Sequence, residues 1–229
     1  MVMPRALITG ANRGLGLEFA RQYVADGWSV IATARHPETA EELRAVGGDV
    51  SIRHFDAMDD QSVMRLVADL DGLPLDVIIP NAGVGSGSEK LASQVTREEW
   101  MERVAINTFV PVKLAVALRP NLARGTHKKL VGISSLAASI ARYEISGHYA
   151  YRASKAALNA IWRSLSVEWR PAGVICLLLR PGKVRTRMTG FTGDLSAAEA
   201  VAGMRQVIAA STLADSGRFL SYDGSEVPW

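Results

Sequence analysis

The sequence predicts an α/β fold: one domain on a doubly wound, mostly parallel seven-stranded sheet with helices on both faces. Three observations predict it. Short apolar runs alternate with longer amphipathic stretches along the chain, which implies right-handed βαβ crossovers. Most of those runs are apolar on both parities, as strands covered on both faces must be. And 229 residues without repeats, low-complexity segments or a linker leave room for a single domain, 1–229, but not for a separate substrate domain.

The elements follow in order. Ala6–Thr9 reads as the first strand. A helix over Gly14–Asp26 stops at Gly27, a C-cap signal. Trp28–Thr33 is the second strand, Pro37–Val46 a helix, Val50–His54 the third strand, Asp59–Leu70 a helix and Leu75–Ile79 the fourth strand. The next helix, Thr96–Leu118, opens with Thr96 as N-cap and Glu99 three residues on, the spacing of a capping box. Leu130–Ser134, Val174–Leu179 and Arg218–Ser221 complete the strands, and Tyr149–Trp169 and Ala197–Ala210 the helices. The segment 187–214 reads as a short lid helix over the site, whose closure would exclude water.

Composition excludes several classes. The chain is 48% hydrophobic and 21% charged, an ordinary globular mix. Its net charge of +3 comes from 26 basic and 23 acidic residues. Twenty of the basic residues are arginines spread along the chain, whereas nucleic-acid binders cluster them, so no nucleic-acid partner is expected. The single cysteine, Cys176, lies in the apolar run VICLLL and reads as a small core hydrophobe. One cysteine allows no internal disulfide, the start MVMPRALITG lacks a signal-peptide pattern, and no apolar run approaches a membrane span, so a cytoplasmic protein off the membrane is expected. His36, His54, His127 and His148 show no metal-ligand spacing, so no metal is expected.

Chemistry begins at Thr9-Gly10-Ala11-Asn12-Arg13-Gly14-Leu15-Gly16, between the first strand and its helix. Glycines at 10, 14 and 16 permit a tight turn and let backbone N–H groups and the helix N-terminus approach a pyrophosphate. The spacing is GxxxGxG, and its place in an alternating α/β chain makes it a Rossmann-type nucleotide site. The second strand closes Ala32-Thr33-Ala34-Arg35, where NAD binders usually carry an acid for the ribose 2′-hydroxyl. Either Arg13 or Arg35 alone would be an ordinary solvated charge. Together at these positions they suit the extra phosphate of NADP(H), because the guanidinium fork matches phosphate geometry.

Of five tyrosines only Tyr151 has a lysine four residues later, Lys155. On a helix these share a face, so the ammonium is expected to lower the phenol pKa and make Tyr151 a general acid or base for carbonyl and alcohol chemistry. Ser135 ends the fifth strand, at the sheet edge where open α/β folds bind ligands.

With these residues in place, the sequence resembles the short-chain dehydrogenase/reductases. Thr9-Gly10-x-x-x-Gly14-x-Gly16 resembles the family's glycine turn. Asp56 stands where its adenine-contacting Asp follows the third strand. Pro80-Asn81-Ala82-Gly83 resembles NNAG, with proline replacing the first asparagine. Asn107, Ser135, Tyr151 and Lys155 match the catalytic tetrad, and Pro181-Gly182-Lys183-Val184-Arg185-Thr186 resembles PGxVxT near the nicotinamide. The ANRGLG turn, the ATAR strand end, Tyr149–Lys155 and the terminal Tyr222-Asp223-Gly224 and Pro228-Trp229 look most like the sniffer/C-factor-like carbonyl reductase branch.

The resemblance implies roles. Tyr151 would donate a proton to the substrate oxygen, Ser135 would hydrogen-bond that oxygen, and Lys155 would bind the nicotinamide ribose. Asn107 would hold a water leading from Lys155 to solvent. The expected activity is NADPH-dependent reduction of an aldehyde or ketone, reversibly, by a homodimer or homotetramer. Two alternatives stay open: an NADP(H)-binding regulatory or signalling protein with little turnover, and a sugar-nucleotide isomerase or dehydratase, which the roughly 40 residues after Thr186 disfavour. Lys183, Arg185 and Arg187 form a basic cluster read as a pyrophosphate or acidic-substrate contact or, equally, as solvated charge. Arg142, Tyr143 and Glu144 are expected to border the substrate.

Overall fold

The computed structural model describes residues 3–85, 91–142 and 146–229. Its strands are β1 (Arg5–Ile8), β2 (Ser29–Ala34), β3 (Val50–His54), β4 (Val77–Ile79), β5 (Lys129–Ile133), β6 (Ile175–Arg180) and β7 (Phe219–Ser221). They form one sheet in the order β3-β2-β1-β4-β5-β6-β7, and every pairing between them is parallel, where the sequence had promised a mostly parallel sheet. The helices are α1 (Gly14–Ala25), α2 (Glu41–Arg44), α3 (Asp60–Asp69), α4 (Arg97–Val104), α5 (Val110–Ala117), α6 (Arg119–Arg124), α7 (Tyr149–Glu168) and α8 (Ala197–Ala210). Among the described residues no helix is long and apolar enough to cross a membrane.

Alternation of side chains along each strand splits the core into two layers. Leu7, Ile31, Ile78, Leu130 and Leu178 face one side, with Leu66, Leu114, Leu158 and Trp162 from α3, α5 and α7. Ile8, Val30, Ala32, Ile79, Val131 and Leu177 face the other, with Phe19 and Ala20 from α1 and Met204 and Ile208 from α8. Apart from β3 at the sheet edge, whose residues are half-buried or exposed, the strands are therefore buried on both faces, and their ends carry the loops.

Three expectations change. The helix read over 37–46 is a 3-10 turn, Pro37–Thr39, followed by the single turn of α2. The Arg44 guanidinium takes the carbonyls of Pro37 and Glu38, which a continuous helix would have bonded in its own ladder. The helix read over 96–118 is interrupted by a π turn, Ala105–Phe109, between α4 and α5. And α8 is not a lid. Ala200, Val201, Met204 and Ile208 are buried, and α8 packs on α1 as a layer helix. Only the stretch between Thr186 and Ser196 remains at the loop edge of the sheet.

At the opposite edge, Lys129 opens β5 and reaches the C-terminal end of α8. Its Nζ donates to Ile208 O and, at 3.0 Å, to Ala209 O. Burial pushes this amine down, with Asp215 opposing. A cation on the last carbonyls of a helix stabilises it. Lys129→Ala is expected to cost about 1–3 kcal/mol, because two carbonyls lose a charged donor. Urea denaturation should show a lower midpoint with an unchanged slope.

Candidate active site

The strand order turns back between β1 and β4, which opens a crevice at their carboxyl ends. The glycine turn occupies it. Gly10 has φ +63°, a left-handed conformation that favours glycine. Ala11 N donates to Thr33 O at 2.8 Å, so the turn rests on the end of β2. A Cβ on Gly16 would lie 2.3 Å from Gly10 O and 2.6 Å from Asn81 Nδ2, so only glycine fits there. The N-cap of α1, Arg13, makes no side-chain cap bond and no acid lies in the first turn. The leading N–H groups of α1 therefore remain for an anion, which is what a pyrophosphate requires.

The other sequence-chosen residues surround this turn. Asn81 Nδ2 donates to Thr9 O (3.0 Å) and Gly10 O (3.2 Å), and Ala82 N donates to Thr9 Oγ1 (3.0 Å). The end of β4 is thus stitched to the end of β1. Pro80 is buried just beyond β4, where its missing N–H costs no ladder bond. Asn12, Leu15 and Gly83 are half-buried, and Arg13 and Arg35 are exposed. Asp56 uses one carboxylate oxygen to accept from Met58 N at 2.9 Å. Pro181 and Gly182 are half-buried and Val184 is buried. The Thr186 methyl lies 3.8 Å from where a Cβ on Gly14 would be, which brings this segment over the glycine turn.

The four proposed reacting or supporting side chains converge beside it. Ser135 caps a 3-10 turn, its Oγ accepting from Ala137 N at 3.2 Å, and its hydroxyl is close enough to Tyr151 to lower the phenol pKa. Lys155 is buried and its Nζ donates to Ile133 O at 2.9 Å. It also lies 4.0 Å from where a Cβ on Gly83 would stand. Asn107 is fully buried in the π turn. Its Oδ1 accepts from Val84 N (2.9 Å), and its Nδ2 donates to Val84 O (3.0 Å) and Ser154 Oγ (3.1 Å). Its side chain is thus committed to protein partners.

The electrostatics correct one expectation. Burial pushes the Tyr151 phenol up, and the neighbouring Ser135 hydroxyl, not Lys155, opposes it. Burial pushes Lys155 down to about 8. Sharing a helix face did not make the amine the phenol's partner, because the Lys155 Nζ bonds the end of β5 instead.

Ser154 was missed by sequence reasoning. Its Oγ donates to Tyr151 O at 2.7 Å and accepts from Asn107, linking α7 to the π turn. Its place directly before Lys155 was the available signal. In the basic cluster, Arg185 donates to Gly193 O at 3.1 Å and stands 4.0 Å from Glu199, so it braces its own loop. Lys183 and Arg187 are exposed. Arg142 is exposed, while Tyr143 and Glu144 lie outside the described residues.

Comparisons with known proteins agree with this geometry. The family model for short chain dehydrogenase matches residues 4–195. The C-signal protein of Myxococcus xanthus is 40% identical over 156 residues, covering 68% of this chain and 93% of that protein. Two solved structures superpose over 100% of both chains at 31% identity: the carbonyl reductase Sniffer of D. melanogaster, with a TM-score of 0.92, and an NADPH-bound carbonyl reductase from chicken fatty liver, at 0.91.

Lys155 also sets a stability test. Below about pH 8 it is charged in the folded and unfolded chain alike, and the fold bears the cost of the buried charge. Between about 8 and the ordinary 10.5 the unfolded chain holds the proton more tightly, so that cost fades and stability rises with pH. Lys155→Met, measured without nucleotide, should therefore stabilise the protein at pH 7 by about 2 kcal/mol, allowing for the lost bond to Ile133 O. The gain should vanish near pH 10, and a thermal-melt series across pH reads both.

Proposed function

The chain belongs to the short chain dehydrogenase family, and on that premise we propose that it is an NADPH-dependent reductase of aldehydes or ketones. The observation that carries the reading is the convergence of Tyr151, Ser135 and Lys155 at the strand ends beside an uncapped, glycine-lined helix N-terminus. NADPH, when bound, supplies the hydride. The residues to hold it are the turn Gly10–Gly16 for the pyrophosphate, Arg13 and Arg35 for the 2′-phosphate, Asp56 for the adenine, and Asn81–Gly83 with Pro181, Gly182, Val184 and Thr186 toward the nicotinamide.

Chain chemistry supports a reductive direction. A phenol pushed up by burial keeps its proton at neutral pH, so Tyr151 acts as the acid that delivers it to the carbonyl oxygen. Ser135, which faces that hydroxyl, donates a hydrogen bond to the same oxygen and orients it. Lys155, buried and bonded to Ile133 O, holds the ribose end of the cofactor. Asn107 fixes the Gly83–Val84 backbone against which the nicotinamide end would rest.

The similarity to C-signal supports a second reading, an NADP(H)-binding regulatory protein with little turnover. NADPH oxidation against aldehydes, diketones, quinones and cyclic ketones separates the two. We also propose a homodimer or homotetramer, supported by the exposed apolar side chains Met101, Phe109, Val116 and Val167 along α4 to α5 and on α7.

Three outcomes are expected. Tyr151→Phe should lose turnover by at least about 1,000-fold with NADPH affinity retained, because a positioned acid supplies roughly that factor; retained turnover refutes the assignment. Arg35→Asp should move the KM ratio of NADPH to NADH toward NADH, whereas equal or better use of NADH by the unmodified protein refutes the NADPH reading. Light scattering after size exclusion should give a dimer or tetramer, and a clean monomer refutes that assembly.

A further inference from the structure

The segment following β7 reaches back to the catalytic serine. After β7 the chain turns, with Ser221 N donating to Ser225 O at 2.8 Å, and returns antiparallel through Leu220 and Glu226. Val227 N donates to Phe219 O at 2.9 Å, and Val227 is buried in the layer that holds Trp162. The Trp229 ring stands 5.9 Å from the Phe219 ring. Two bonds then cross to the stretch that follows Ser135. Ser139 Oγ donates to Pro228 O at 2.6 Å, and Ala141 N donates to Trp229 O at 2.8 Å.

Ser135 stands between two anchors. On one side β5 is fixed, with Ser134 N donating to Leu179 O at 2.8 Å. On the other side the 3-10 turn Leu136–Ala138 leads directly to Ser139 and Ala141, which hang on the Pro228 and Trp229 carbonyls. The serine hydroxyl accepts from Ala137 N at 3.2 Å within that turn and also faces Tyr151. A hydroxyl with both tasks tolerates little movement, since a displacement near 1 Å can cost on the order of 100-fold in rate.

We propose that Pro228 and Trp229 form a strut that holds the turn after Ser135, and that Trp229 is a positioning residue for the reaction. The ring packs on β7, and the backbone carbonyls carry the position to the serine turn. The consequence for rate rests on the reductase reading above; the mechanical coupling does not.

The test uses the full chain with Trp229→Ala, Trp229→Phe and Ser139→Ala. Amide exchange at Ala137 and Ala141 reads the strut directly, kcat reads the chemistry, and NADPH fluorescence reads cofactor binding. In Trp229→Ala, exchange at both amides should rise at least about tenfold, because the turn opens locally. The kcat should fall about tenfold or more while NADPH affinity stays within about twofold, because the glycine turn is untouched. Trp229→Phe, which keeps an aromatic ring for Phe219, should restore most of both losses. Ser139→Ala, which removes only the hydroxyl bond, should show the same pattern more weakly, and it decides the matter if Trp229→Ala does not fold. Unchanged exchange at Ala137 in Trp229→Ala and Ser139→Ala overturns the strut. So does a fall in kcat matched by a fall in NADPH affinity, which marks general damage. Absence of carbonyl reduction by the unmodified protein defeats the reductase reading instead, and the exchange result still decides the strut.

Discussion

One buried amide holds the working edge of this molecule together. The Asn107 side chain accepts from Val84 N and donates to Val84 O and Ser154 Oγ. Ser154 in turn donates to the carbonyl of Tyr151, and Thr108 Oγ1 donates to Ser154 O. The exit of β4, the π turn and α7 are thereby fixed against one another by side chains with no access to water. Leaving any one of these groups unpaired in such a place costs about 1–3 kcal/mol, so the arrangement is strongly determined. The π turn is the local departure that accommodates it. It interrupts the regular helical ladder where Asn107 must aim at a loop and Thr108 at the neighbouring helix. Such bulges persist where a side chain has a task.

The second constraint is dielectric. Burial drives the Tyr151 phenol and the Lys155 ammonium toward their neutral forms, so the two groups differ from the ion pair that their spacing suggests. Ser135 pulls the phenol back down against that burial, and Ile133 O satisfies the amine.

The fold was legible because its causes are local and repeated. Strands covered on both faces leave continuous apolar runs, and α8 kept its expected bounds, Ala197–Ala210, because Ser196 and Glu199 cap it reciprocally. The glycine turn was legible because Gly10 and Gly16 meet constraints that only glycine satisfies. What escaped sequence reading involves backbone or distant partners. Arg44 broke the helix before α2 by taking two main-chain carbonyls, and a π turn changes the register of a helix without changing its composition. The layer role of α8 rests on its buried face, Val201, Met204 and Ile208, which an amphipathic lid helix would also present to the site it covers. The spacing of Tyr151 and Lys155 gave a shared face but not the direction of the amine. The link between Trp229 and the serine turn runs through main-chain groups apart from Ser139, and main-chain groups leave no letter to read.

The two edges of the sheet divide the labour. At the edge where the strands begin, the buried Asp76 accepts from Arg5 N, Thr126 N and His127 N, joining the starts of β1, β4 and β5. Lys129 caps α8 there, Tyr23 meets Trp28 edge-on, and Trp28 stacks on His127. None of these groups takes part in the glycine turn or the Tyr151 site. At the edge where the strands end, the polar groups that could have served stability are held ready for a ligand instead: α1 begins uncapped, two arginines stand exposed, and Lys155 carries a burial cost. Because the sheet separates the two sets by the length of its strands, changes at one edge should add to changes at the other with little coupling. The Pro228–Trp229 segment belongs to the second set: it follows β7, and its two carbonyls accept from Ser139 and Ala141 on the stretch that follows Ser135.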